Sequence, residues 1–245
     1  EETEYRPKPM VPIGDRPILW HIMKIYATYG YKEFILCLGY KGEVIKEYFR
    51  NYQWMTSDVT LKLGRSPAIK FHTRHDEEDW SVTLAETGAE SSTSARIKKI
   101  EPYISQDQDF FLTYGDGVGN VNIPASLEFH RKHGRVLTTT AVHPVGRFGE
   151  MVLEEEGRVA QFNEKPQVST GFINGGFFVV SSRLFKYIPP DDPLMFEFGA
   201  MKKLSEEGEL MAFPHSGFWQ PMDTFYEYTL LNRMWKEGKA PWKIW

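Results

Sequence analysis

Four short stretches of this sequence set charged side chains among prolines or glycines in ways that suit phosphate and polyol chemistry. Gly115-Asp116-Gly117 follows the run Phe110-Phe111-Leu112-Thr113-Tyr114. Beyond the carboxyl end of a strand, an Asp flanked by glycines lets a phosphate chain and its Mg²⁺ approach the backbone closely. The same tripeptide also suits a tight turn in which Asp116 bonds only backbone. In Arg6-Pro7-Lys8-Pro9-Met10, two prolines restrict the lysine between them. Lys8 is then either a clamp on a phosphoryl group or a solvated residue of an exposed entry segment. Glu164-Lys165-Pro166 precedes Ile173-Asn174-Gly175-Gly176. Glu164 can accept sugar hydroxyls, Lys165 can neutralise an anomeric phosphate, and Asn174 with the Gly175 backbone can complete a polyol cradle. A charged turn and a glycine bulge would read the same way. Finally, in Phe218-Trp219-Gln220-Pro221-Met222-Asp223-Thr224, Asp223 is either a second carboxylate converging with Asp116 on a divalent cation or, with Thr224, an N-cap for the helix that follows. No stretch decides alone, but their order describes a site for a nucleoside triphosphate and a sugar phosphate.

The elements that would position these residues follow from hydrophobic spacing. Ile18, Leu19, Ile22, Ile25 and Tyr26 recur at helical intervals between Pro17 and Gly30. Glu33 to Leu38 reads as a buried strand, and Val44, Ile45, Tyr48 and Phe49 as the next helix. A strand over 110–114, a helix from Pro124 to Gly134 and a strand from Val136 to Val142 continue the alternation. The implied fold class is α/β, a mixed, mostly parallel sheet flanked by helices. Short strands at Met151–Leu153, Val159–Phe162 and Phe177–Val180 suggest a small antiparallel extension, and a helix is expected over Phe198–Glu207. No linker or repeat divides the chain, so residues 1–245 are read as a single domain.

Composition limits the partners. With 41% hydrophobic and 25% charged residues in 245, one substantial core is available. A net charge of -4 gives no general attraction to nucleic acid or an anionic membrane. The lone Cys37 sits in an apolar run and reads as a small buried hydrophobe, which fits a reducing cytoplasm. No apolar stretch approaches the roughly 20 residues that span a bilayer. Trp235, Trp242 and Trp245 with Pro241 form a tail too apolar for solvent, suited to core or to a subunit contact.

From Glu1 to Trp245 the chain resembles the sugar nucleotidylyltransferases, and within them the glucose-1-phosphate cytidylyltransferases. The likeness is carried by Arg6-Pro-Lys-Pro-Met10, Pro17-Ile-Leu-Trp-His-Ile-Met23, Gly39-Tyr-Lys-Gly42, Thr113-Tyr-Gly-Asp-Gly117, Gly146-Arg-Phe-Gly149, Ile173-Asn-Gly-Gly-Phe-Phe178, Gly217-Phe-Trp-Gln-Pro-Met-Asp-Thr224 and Gly238-Lys-Ala-Pro-Trp-Lys243. The resemblance implies a Rossmann-like nucleotidyltransferase fold and Mg²⁺-dependent transfer of a cytidylyl group from CTP to glucose 1-phosphate. It implies that Lys8 contacts the triphosphate, that Asp116 and Asp223 ligate Mg²⁺, and that Lys8, Asp116 and Lys165 are catalytic. Nucleotide contacts are implied for Thr87, Gly88, Ser91, Arg96 and Gly115, and sugar-phosphate contacts for Tyr114, Gly149, Glu164, Lys165, Asn174 and Gly175. A homo-oligomer in the cytoplasm is implied, its CDP-glucose feeding deoxysugars for surface polysaccharide. A strand and a glycine-rich loop, Gly-Gly-x-Gly-Thr-Arg, are expected ahead of Glu1 in the whole protein. Where the family has Thr-Gly-Gly-Arg, this chain has Thr93-Ser94-Ala95-Arg96. That change is expected to restrict the nucleotide loop. It leaves a uridylyl- or thymidylyltransferase, or a catalytically silent sugar-nucleotide-binding protein, as alternatives.

Overall fold

The computed structural model describes residues 6–72, 79–104, 108–144, 150–155, 158–163 and 171–245. Pro7 opens a 3₁₀ turn, Lys8–Met10, and β1 (Pro12–Ile13) pairs antiparallel with β2 (Arg16–Pro17). Helix α1 (Ile18–Thr28) starts behind Pro17, whose φ of -64° is set by its ring, and ends before Gly30 at φ +89°. Next come β3 (Glu33–Leu38), α2 (Gly42–Arg50), α3 (Tyr52–Thr56), the hairpin of β4 (Val59–Lys62) and β5 (Ala68–Phe71), and β6 (Ser81–Glu86). Helix α4 (Thr93–Lys99) is capped by Ser92 Oγ, which accepts from the Ala95 N–H at 3.0 Å. Strands β7 (Asp109–Thr113) and β8 (Gly117–Gly119) flank Asp116, and α5 (Ile123–His133) leads to β9 (Leu137–Val142). After β10 (Glu150–Leu153), β11 (Val159–Asn163) and β12 (Ile173–Ser181), a π-helical turn, Glu197–Met201, runs into α6 (Lys202–Glu206). The chain closes with β13 (Leu210–His215), β14 (Trp219–Pro221) and α7 (Phe225–Lys236).

The α/β architecture agrees with the hydrophobic spacing, and the sheet is mixed. Its parallel share is smaller than the alternation implied. Among the described residues, only β3–β6 and β9–β13 pair in parallel, while β12 runs antiparallel between β7 and β9 in the order β13-β9-β12-β7. The β10–β11 hairpin stands between β9 and β12, and no crossover helix does among the described residues, which fits the reversed direction of β12.

Side chains alternate across β7 and β12. Phe110, Leu112, Phe178 and Val180 meet a core with Leu184, Phe196 and Leu204, while Phe111 and Phe177 meet α1 on the other face. Helix α1 is buried nearly all round: Ile18, Ile22, Ile25 and Tyr26 serve that second core, and Leu19 and Met23 pack with Leu38 and Ile45. Trp242, wholly buried, seals the same core together with Trp235 and Trp245, so the aromatic tail belongs to this chain's own interior. Cys37 is half-buried, and burial pushes its thiol up to about 11, leaving it unreactive at neutral pH. No helix among the described residues is long and apolar enough to cross a membrane.

Two buried histidines make this core acid-sensitive. His21 Nε2–H donates to the Ile13 carbonyl at 2.9 Å, and its Nδ1 accepts from the Trp242 indole N–H at 3.4 Å. Protonating Nδ1 would set donor against donor, and burial pulls the His21 pKa down to about 4. His130, packed on Thr138, is likewise pulled to about 4, chiefly by burial. Both folded values lie below that of an exposed histidine, so the unfolded chain takes up protons first. The stabilisation is present above about pH 6.5 and is lost as pH falls toward 4, by on the order of 3 kcal/mol per site. Urea unfolding from pH 7.5 to 5 should show stability falling steadily, with a shallower slope in His130→Gln. A flat profile over that range would contradict the assignment.

Candidate active site

Asp116 and Asp223 are brought together by a short ladder. Strands β8 and β14 pair antiparallel with Gly117 opposite Pro221, and the Met222 N–H donates to the Asp116 carbonyl at 2.8 Å, extending the pairing by one step. Each aspartate therefore leaves the same end of one ladder. Thr224, not Asp223, caps α7: its Oγ1 accepts from Glu227 N–H at 3.3 Å while Glu227 Oε2 accepts from Thr224 N–H at 2.9 Å and Asp223 N–H at 2.8 Å. With its backbone tied down by Glu227, the Asp223 carboxylate can turn toward the cleft.

Lys8 stands between the two. Its ammonium donates to Asp116 Oδ2 at 2.9 Å and, in a shorter contact, to Asp223 Oδ1. Burial lowers the Lys8 pKa, but the bonds to Asp223 and Asp116 outweigh it and the net shift is upward, so the charge persists through neutral pH. The approach depends on Gly115, where a Cβ would fall 2.8 Å from Pro9 Cγ. The pyrrolidine ring packs into that gap, so the glycine's contribution is lack of bulk, not unusual φ. Together the groups present a cation and two hard oxygen ligands at a strand end. Among the described residues no third His, Cys, Asp or Glu joins them, so a bound divalent cation would complete its shell from phosphate oxygens and water.

Beside Asp116 lies a small cleft of about 40 Å³ lined by Tyr114, Asn174, Gly175, Gly176 and Trp219 among others. Its floor is a bulge in β12, where the pairing with β9 shifts between Asn174 and Phe178. Asn174 Oδ1 makes the bulge by accepting from Gly176 N–H and Thr139 Oγ1–H, both at 2.9 Å, and Trp219 Nε1–H pins the Gly175 carbonyl at 2.7 Å. Gly176, at φ +73°, would put a Cβ 2.9 Å from the Tyr114 ring. The bulge reading of Asn174-Gly175 is what the structure shows, and the bulge borders the cleft.

A second group gathers beyond β3, β6 and the start of α4. Thr87 Oγ1–H donates to the Leu38 carbonyl at 2.7 Å, and the Arg96 guanidinium reaches Leu38 O at 3.0 Å, Thr87 Oγ1 at 3.1 Å, Ala89 O at 2.9 Å and Ser91 O at 3.1 Å. Arg96 braces the loop it was expected to share with nucleotide. Gly88, at φ +97° and 2.7 Å from Ser91 Oγ at its would-be Cβ, turns the same loop. Lys99, unremarked in the sequence, adds bonds to Thr87 O at 3.2 Å and Ser91 Oγ at 3.1 Å. A cleft of about 750 Å³ opens between this loop and the segment Asp191–Met195. Ser94 and Ala95 do not restrict the loop: they lie inside α4, both buried, where either residue is a better helix former than glycine. Gly149, Glu164 and Lys165 lie outside the described residues. Sequence patterning assigned Glu197 and Trp219 no role of their own, and Pro9 only that of restricting Lys8. Trp219 had a motif around it, whereas Glu197 sits in a π turn that hydrophobic spacing does not reveal.

The family model described as nucleotidyl transferase matches residues 3–229. Glucose-1-phosphate cytidylyltransferase of Salmonella typhi is 48% identical over all of this chain and 94% of that protein. Probable glucose-1-phosphate cytidylyltransferase of Bacillus subtilis is 44% identical with the same coverage. Among solved structures, HddC from Yersinia pseudotuberculosis superposes with a TM-score of 0.64 at 20% identity, over 94% of this chain and 90% of that one, a likeness of fold.

Ser94 Oγ is fully buried and has no hydrogen-bond partner among the described residues. Ser94→Ala should therefore raise unfolding stability by about 1 kcal/mol and leave nucleotide preference unchanged. A destabilised variant in chemical denaturation would show that the hydroxyl is bonded and that α4 depends on it.

Proposed function

This chain belongs to the nucleotidyl transferase family, and on that premise we propose that it transfers a cytidylyl group from CTP to glucose 1-phosphate, releasing CDP-glucose and pyrophosphate. The observation that carries the reading is the full-length likeness to cytidylyltransferases at 48% identity. The meeting of Lys8, Asp116 and Asp223 supports it.

A phosphate oxygen of glucose 1-phosphate attacks the α-phosphorus of CTP as the bond to the β-phosphate oxygen breaks. The nucleophile is an anion at neutral pH, so no side chain has to remove a proton. The protein's task is to hold two polyanions in line and offset their charge. Lys8 supplies a fixed ammonium at the phosphates. Asp116 and Asp223 would hold Mg²⁺: their carboxylates already converge on one positive charge, and oxygen ligands suit that ion. When bound, the metal neutralises charge on the transferring phosphate and the leaving pyrophosphate. Tyr114, Asn174 and Gly175 would line the sugar side, with Gly149, Glu164 and Lys165 completing the sugar-phosphate pocket. Gly115 would offer its backbone to the nucleotide, while Thr87, Gly88 and Ser91, braced by Arg96, would form the pyrimidine loop. We further read the protein as a cytoplasmic homo-oligomer; exposed Met55, Leu61, Leu63 and Ile69 on and beside the β4–β5 hairpin support a covered surface there.

Pyrophosphate release with Mg²⁺ and glucose 1-phosphate should be fastest with CTP, by at least about tenfold over UTP, dTTP and ATP. Asp116→Asn should lose at least about 100-fold in turnover. Its melting temperature should stay close to that of the unaltered protein, because the Lys8 bridge is about one-third exposed and contributes little stability. Preference for another triphosphate would overturn the cytidylyl assignment, and an active Asp116→Asn would reduce Asp116 to a turn residue.

A further inference from the structure

The sugar-side cleft is lined by a tyrosine whose hydroxyl has a fixed direction. Tyr114 Oη–H donates to Glu197 Oε1 in a short contact. Asn174 lines the same cleft with its Oδ1 already filled by Thr139 and Gly176. An acceptor carboxylate thus fixes the direction of the Tyr114 hydroxyl. Burial first, and then the bond to Glu197, push the Tyr114 phenol upward, so its proton stays. The phenol oxygen of this cleft-lining residue is left with lone pairs and no hydrogen to offer.

Glu197 is itself held for this task. It opens a π-helical turn, a device frequent at functional sites. The residue before it is anchored to α4, since the Phe196 N–H donates to Thr93 Oγ1 at 2.8 Å and the Phe196 ring is buried against Phe178. Its second oxygen, Oε2, is buried with no hydrogen-bond partner among the described residues. Leaving a carboxylate oxygen unpaired destabilises the fold, and such a cost persists where the group serves a site.

We propose that Glu197 is a positioning and specificity residue: by taking the Tyr114 proton it makes the phenol an acceptor-only contact that selects a hydroxyl-bearing sugar phosphate. The inference rests on the reading of this cleft as the sugar-phosphate site. Glu197 touches Tyr114, not the reacting atoms, and its effect is expected in recognition of the sugar, not in handling of the triphosphate.

The experiment compares glucose 1-phosphate with its 2-, 3-, 4- and 6-deoxy analogues at saturating CTP, in the unaltered protein, Glu197→Ala, Glu197→Gln and Tyr114→Phe. In the unaltered protein one deoxy position should lose at least about 100-fold in kcat/KM, as expected where a site is built around a hydroxyl. Glu197→Ala should cut that discrimination to below about fivefold and raise the KM for glucose 1-phosphate about tenfold, with the KM for CTP within about threefold. Glu197→Gln, which keeps an acceptor oxygen, should restore most of the discrimination. Tyr114→Phe keeps the ring and should lose it, and adding Glu197→Ala to Tyr114→Phe should cost nothing further. An unchanged deoxy profile in Glu197→Ala, or equal rises in both KM values, overturns the proposal. Failure of the unaltered protein to turn over glucose 1-phosphate at all would instead overturn the functional reading beneath it.

Discussion

The constraint on which the site depends is electrostatic: two carboxylates must share one small volume. At close range like charges repel by amounts that a third-exposed site only partly screens. The fold answers with the β8–β14 ladder, which leaves Asp116 and Asp223 nowhere else to go, and with the Lys8 ammonium between them. Lys8 in turn depends on its prolines. Pro7 opens the 3₁₀ turn, and Pro9 fills the space above Gly115 that any side chain there would occupy. A bridge this exposed adds little stability, so its geometry comes from the elements around it, not from its own energy.

Those elements are held by α1 and the carboxyl end of the chain. Tyr26 on α1 bonds Thr113 at the end of β7 and packs on Phe111 and Phe177, which sets the strand end against the helix. Trp242 reaches back to His21 on the same helix, so the last residues tie down the element that lies behind the first. Strand β12 is shared: its regular half feeds both cores, and its bulged half, turned by Asn174 and Gly176, forms the cleft. The bulge costs ladder bonds, and the Asn174 side chain and the Trp219 indole replace part of what is lost.

Much of this was legible in the sequence because it is local. The α1 spacing, the apolar run into Gly115-Asp116-Gly117 and the Gly134 stop, which adopts φ +63°, are written in consecutive residues. The α6 helix was anticipated too, although its first turn is π-helical. Other features are decided at a distance. Both Asp223 and Thr224 could cap α7 by composition, and only the reach of Glu227 to both backbone N–H groups makes Thr224 the cap and releases Asp223. The antiparallel direction of β12 was anticipated for Phe177–Val180, but its place between β9 and β7 depends on pairing with strands distant in the chain. Ser94-Ala95 looked like a stiffened loop because the helix boundary was not visible; Ser92 capping places both inside α4. Glu197 had no motif at all, since its meaning comes from Tyr114, far away in the chain.

Three consecutive residues just beyond β7 show why the two halves of the site are inseparable. Tyr114 follows the strand directly, Gly115 and Asp116 form the turn after it, and Tyr114 and Asp116 both line the cleft. Gly115, between them, presents the opposite side, where Pro9 brings in Lys8. One tripeptide therefore sets a phenol, an empty Cβ position against the lysine turn, and a carboxylate side by side. The Tyr114 N–H to Gly176 carbonyl bond at 3.0 Å and the Met222 N–H to Asp116 carbonyl bond at 2.8 Å hold the tripeptide at both ends, and they come from different elements. The phenol, the carboxylate and the lysine turn are set by the same stretch of backbone, so a distortion that reaches one reaches the others.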